Sequence, residues 1–183
     1  MILSVDIDWI QSSFQYKELF KFLTPKFVDC EQIIFIETHQ QILKYIHKSE
    51  KIVNIDHHHD IGYPDFNGKI HVPPINEGNW VGYLTINNKL KEYIWIHNED
   101  SEFEIQSSKM LQRLDRFNFS SSLDFIKNLS FSKIIICNSF DHIKQNDKNI
   151  GLGRIYEVLK ILTTNLYKGK VLIDNTSNPF KDL

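Results

Sequence analysis

Residues 51–63 read KIVNIDHHHDIGY, a short apolar run (Ile52, Val53, Ile55) that passes directly into Asp56-His57-His58-His59-Asp60. Four to eight apolar, β-branched residues ending in polar ones form a buried strand whose carboxyl end opens into a site. On an extended chain, side chains two apart share a face. The spacing therefore predicts Asp56, His58 and Asp60 on one side, and His57 and His59 on the other. Ionisable groups crowded on one side of an apolar strand repel or stay unpaired unless a cation joins them. The O, N, O donor set suits a hard or borderline divalent ion.

The same pattern recurs upstream. Met1 to Asp8 (MILSVDID) is an apolar strand ending in Asp6 and Asp8, and Gln32 to Thr38 (QIIFIET) is another, with His39 at its exit. Between them, Phe14, Leu19, Phe20, Phe22 and Leu23 fit a helix stopped by Pro25. Ile42, Leu43, Tyr45 and Ile46 fit a second helix over 40–48. Strands apolar on both faces suit a parallel sheet covered by helices. The expected fold is thus α/β, a three-layer α/β/α sandwich with a mostly parallel sheet, in a single domain over 1–183. Ligands of such sheets bind at the carboxyl ends of strands. That rule joins Asp6, Asp8, His39, Asp56, His58 and Asp60 into one candidate metal site.

Further along, residues 61–77 form a Gly- and Pro-rich loop, of a length that is more often functional than structural. It ends in Asn76-Glu77-Gly78-Asn79-Trp80. Residues 80–90 are expected as a helix, 93–97 as a strand, 98–108 as a polar excursion, and 120–129 as a helix capped by a serine. Lys133 to Cys137 is a further buried strand, followed by Ser139, Asp141 and His142. A helix over 155–166 and a final edge strand over 171–175 complete the chain. Trp9, Trp80 and Trp95 are expected in the core or in a pocket wall.

A formal net charge of −2 gives no electrostatic case for nucleic acid or an anionic membrane. Cys30 and Cys137 adjoin apolar runs and read as buried thiols of a cytoplasmic protein. No basic leader or long apolar span is expected. Composition does not address oligomeric state.

Oxygen-rich mixed ligation favours Mn²⁺ or a similar ion, and six ligands suffice for two ions. An ion pair about 3.5–4 Å apart lowers the pKa of a shared water towards neutrality. Asp60 could ligate and also orient the resulting hydroxide. Metal-assisted hydrolysis at a trigonal carbon or at phosphorus follows, and the residues alone leave both open.

Asp56-x-His58-x-Asp60 resembles the D-x-H-x-D motif of the arginase and ureohydrolase superfamily. Ser4-Val5-Asp6-Ile7-Asp8 is similar to its S-x-D-x-D motif, and His39 stands where its upstream histidine ligand stands. Glu77-Gly78-Asn79-Trp80-Val81-Gly82 resembles its substrate-loop motif S-G-N-x-H-G. The D-x-D pair comes first here rather than late. With the compact length, that order resembles the peptide arginases, which convert arginine side chains of peptides to ornithine and urea. The resemblance implies an arginase-like fold, two Mn²⁺ ions, a catalytic Asp60, and substrate contacts from Glu77 and Asn79. It implies an arginine-containing peptide or a small guanidino compound as substrate. Val81 replaces the loop histidine, so proton delivery falls to His71, His97 or His142, with His142 placed in the catalytic set. Asp141 is the candidate guanidinium anchor. One alternative is a DHH-type phosphoesterase, spelled by Asp56-His57-His58 but lacking a histidine before Asp6. Another is a catalytically inactive metal- or peptide-binding module.

Overall fold

The computed structural model describes residues 1–47, 50–62, 75–101, 114–138 and 152–176. Seven strands form one sheet: β1 (Ile2–Asp6), β2 (Gln32–Ile36), β3 (Glu50–Ile55), β4 (Leu90–Ile96), β5 (Arg116–Ser120), β6 (Lys133–Cys137) and β7 (Val171–Asp174). The order is β5-β4-β3-β1-β6-β2-β7, and every pairing is parallel.

Side-chain alternation divides the core in two. Leu3, Val5, Ile33, Phe35, Val53, Ile55, Ile134 and Ile136 face α1 (Ser13–Asp29) and α3 (Leu152–Leu166). Ile2, Ile34, Ile36, Ile52, Tyr93, Trp95 and Ile135 face α2 (Trp80–Ile86) and the 3-10 helix His39–Tyr45. Connections running one way along the sheet cover one face and those running back cover the other, as right-handed parallel crossovers require. The chain leaves β1 towards β2 and leaves β3 towards β4, in opposite directions from neighbouring strands. That switch point opens a crevice at the carboxyl ends of β1 and β3.

Several elements differ from expectation. Helix α1 runs through Pro25 to Asp29. Leu19, Leu23 and Phe27 are buried along one stripe, and Lys26 Nζ donates to Lys127 O and Leu129 O at 2.7 Å each. Burying Phe27 gains about 1.5–3 kcal/mol, enough to offset roughly 3 kcal/mol for an internal proline when the lysine bonds are added. The 40–48 segment is a 3-10 helix at 39–45, held by Gln41 Oε1, which accepts from Glu37 N and Thr38 N at 2.8 Å. The 80–90 helix stops at Ile86, and Leu90 already belongs to β4. The 120–129 helix shrinks to the 3-10 turn Leu123–Ile126, capped by Ser122. Strand β5 was not expected. Its alternation is masked because it is a half-exposed edge, with Phe119 51% exposed. Cys30 and Cys137 are free and buried, and no helix among the described residues is long and apolar enough to cross a membrane.

Candidate metal centre

Strands β1 and β3 are paired with Val5 opposite Ile55, which carries Asp6 and Asp56 side by side at the crevice. Both carboxylates then do the same thing locally. Asp6 Oδ1 accepts the backbone N–H of Asp8 at 3.1 Å, and Asp56 Oδ1 accepts that of His58 at 2.8 Å. Each is an Asx turn, which folds the chain back at a strand end. The D-x-D and D-x-H spacings therefore arise from turns rather than from continued strand alternation, since β1 ends at Asp6 and β3 at Ile55. Asp60 arrives differently. Its backbone is left-handed (φ 53°), a conformation Asp tolerates better than most residues. There its carbonyl accepts Val81 N at 3.0 Å and Gly82 N at 3.4 Å, satisfying two orphan donors at the start of α2.

The side chains converge in two groups. His39 Nδ1 lies 3.2 Å from Asp6 Oδ2, 3.1 Å from Asp56 Oδ2 and 3.0 Å from Asp60 Oδ2. His58 Nδ1 lies 3.3 Å from Asp8 Oδ2 and 3.9 Å from Asp56 Oδ1. Asp56 thus turns one oxygen to each imidazole. All six residues singled out as ligands come together: Asp6, Asp8, His39, Asp56, His58 and Asp60. Asp6, His39, Asp56 and Asp60 are at most 3% exposed.

One Nδ1–H cannot donate well to three carboxylates, and three buried carboxylates around one imidazole carry an uncompensated negative charge. The buried Asp/His groups can hold a metal ion: Asp6, His39 and Asp56 form one set of converging donors, and Asp8, Asp56 and His58 another. Burial disfavours the charged form of His39, but Asp56, Asp6 and Asp60 outweigh it and hold the imidazole well above its ordinary value. The same contest, with Asp8 foremost among the carboxylates, holds His58 up at about 9. Burial, then the charges of Asp60 and Asp6, push Asp56 up to about 7. The cluster demands positive charge, and protons meet that demand when no ion does.

No family model, curated protein or solved structure matches the chain. The site is therefore argued from its own residues. Around the ligands stand groups that sequence reasoning did not single out. Ser4 Oγ is 2.7 Å from His39 Nε2, so an Nε2–H donating to it leaves the Nδ1 lone pair facing the carboxylates. Asn54 Nδ2 donates to Asp56 Oδ2 at 3.0 Å, and Trp80 Nε1 to Asp60 Oδ2 at 2.6 Å. Trp95 Nε1 donates to Asp56 O at 3.0 Å. Ser4 and Asn54 carried a faint signal, being polar and two residues before an aspartate in otherwise apolar strands.

The remaining expected residues are dispersed. Asn79 is the backbone N-cap of α2, and its Oδ1 accepts from Asn76 N at 2.8 Å. Glu77 is half-buried in the turn before it. Val81 is buried in the core, so it has no path to solvent. His57 Nδ1 is 2.9 Å from Asn98 Oδ1, turned from the carboxylates as expected, while the buried His59 packs edge-on against Trp95. His97 bonds through Nδ1 to Asn98 O at 2.8 Å. Asp141, His142 and His71 lie outside the described residues.

Proposed function

We propose that this chain is a metal-dependent hydrolase that holds two Mn²⁺ ions and cleaves the guanidino group of a peptidyl arginine, giving ornithine and urea. The observation that carries the reading is Asp56, whose two oxygens serve two separate imidazole-carboxylate groups. The 3.0–3.2 Å contacts of His39 Nδ1 also support a six-coordinate ion. Neighbouring ligands about 2.1 Å from such an ion stand about 3.0 Å apart, against about 3.4 Å for a tetrahedral zinc site.

His39, Asp6, Asp56 and Asp60 would hold one ion, and Asp8, His58 and Asp56 the other. When bound, the ions would supply Lewis acidity and a water deprotonated near neutral pH. The chain's own residues do the rest. Asp60, braced by Trp80 and its left-handed turn, is placed to orient the nucleophile. His58, one-third exposed at its side chain, marks the open side on which a guanidinium would approach. Water adds to the guanidinium carbon, the bond to the δ-nitrogen breaks, and that nitrogen leaves with a proton. The motif resemblance supports carbon over phosphorus, and β1 carries no histidine before Asp6, unlike the phosphoesterase pattern.

The test is urea release from an arginine-containing peptide by Mn²⁺-loaded protein, with free arginine and a chelator control alongside. Chelator-sensitive urea from the peptide is the expected result. Urea from neither substrate, with release of phosphate or nucleoside monophosphate from phosphodiesters, would replace the reading. Bound metal with no turnover on either would leave the inactive module.

A further inference from the structure

A groove of about 730 Å³ lies between α1 and the turn before Leu123–Ile126, with Trp9 at its head. Trp9 directly follows Asp8, and its carbonyl is held by Asn98 Nδ2 at 3.2 Å. Asn98 also holds His57. The groove therefore begins one residue from the carboxylate cluster and is tied to the same loop. From Phe14 to Lys26 its α1 wall is about 18 Å long, the span of five or six extended residues.

The lining is apolar and basic together. Leu123 and Phe22 contribute apolar surface, and Phe14 is 66% exposed. Lys17 and Lys21 stand one helical turn apart on the exposed side of α1. Neither pairs with a carboxylate among the described residues, unlike Lys127, which is 3.5 Å from Asp124. Four lysines line the groove (Lys17, Lys21, Lys26, Lys127) against two carboxylates (Glu18, Asp124), in a chain whose net charge is −2. An exposed aromatic ring beside unpaired ammonium groups fits a partner carrying carboxylates and an aromatic side chain.

We propose that this groove docks an acidic, aromatic-bearing segment of the peptide substrate, at a distance from the arginine that is cleaved. The proposal rests on the peptide reading above. It assigns substrate selection to Lys17, Lys21 and Phe14, away from the ligand cluster.

The probe is a fluorescein-labelled ten-residue peptide of Glu, Asp, Phe and Gly, without arginine, titrated by anisotropy with the full chain in Mn²⁺ buffer. Saturable binding is expected, at least tenfold weaker for the Lys17→Glu/Lys21→Glu double variant and regained by Lys17→Arg/Lys21→Arg. Both lysines are exposed, so these variants fold. No saturable binding, or equal binding by the charge-reversed variant, overturns the proposal. Equally tight binding of a single-stranded oligonucleotide, lost in the same variant, also overturns it and marks a non-selective polyanion surface. The probe has no guanidino group, so a failed urea assay leaves this result standing, and a failed titration leaves urea release standing.

Discussion

The two ends of the carboxylate cluster are enclosed differently. At His39 the group is sealed: the imidazole and its three carboxylates are almost fully buried, and each carboxylate is oriented by an indole, amide or backbone donor from the fold. At His58 the group is open: the side chain is one-third exposed, and its partner Asp8 is 10% exposed. Burial makes charge imbalance expensive at the first end, whereas water screens it at the second. The comparison teaches that one cluster can keep a tightly held ion and an accessible one with the same ligand types. Only Asp56 belongs to both ends.

Replacing Asp56 with alanine is the severest way to sharpen that contrast. Both metal equivalents and urea release should fall to background, as measured by elemental analysis after desalting. Retention of two equivalents would remove Asp56 from its bridging place. Next come the imidazoles one at a time. In metal-free protein His39→Ala should cost about 3–5 kcal/mol, because buried carboxylates lose their counter-charge. His58→Ala should cost about 1 kcal/mol or less, while lowering bound metal to one equivalent and abolishing turnover. Equal losses in denaturant melts would break the comparison, and unchanged metal stoichiometry in His58→Ala would sink the site assignment.

Titration gives a smaller effect with a definite sign. The folded-state values of His39 and His58 lie above their ordinary 6.5, with His58 at about 9. Their protonated forms therefore stabilise the fold below pH 6.5, and that contribution is lost as pH rises through the folded values. Asp56, raised to about 7, loses its share between about pH 4 and 7. Burial and then the neighbouring His58 lower His59 to about 4, so its contribution is lost only as pH falls from 6.5 to 4. Metal-free protein should thus melt lower at pH 9 than at pH 7, with His39 dominating because His58 is partly screened. Saturating Mn²⁺ should remove or reverse the difference, since ion and proton compete. Circular-dichroism melts with chelator and with Mn²⁺ check both arms. The mildest change is Ser4→Ala, which removes the partner of His39 Nε2. Metal affinity at the sealed end should weaken about 10–100-fold, read by competition with a chromophoric chelator, with little change at His58.

Much of this was legible from residues. Apolar strands ending in acids announced β1 and β3, and Lys133–Cys137 was readable to the residue because a fully buried parallel strand has no other composition. Legibility failed where context overrode local signals. Pro25 looked like a stop, but Phe27 had a core to enter. The edge strand β5 showed no alternation because neither face is fully covered. The grouping of Asp56, His58 and Asp60 was expected from extended geometry, yet two Asx turns and the left-handed Asp60 produce it.

By itself the sequence determined which groups end the strands and how they are spaced, because those depend on residues two or four apart. It also determined that the sheet would be buried on both faces. Only the tertiary structure decided that β3 lies beside β1, that His39 crosses from another strand end to meet three carboxylates, and that one end is sealed while the other stays open. Parallel pairing joins segments some fifty residues apart in this chain, and no local pattern encodes which strands become neighbours. That choice follows from burying both faces of the whole sheet at once.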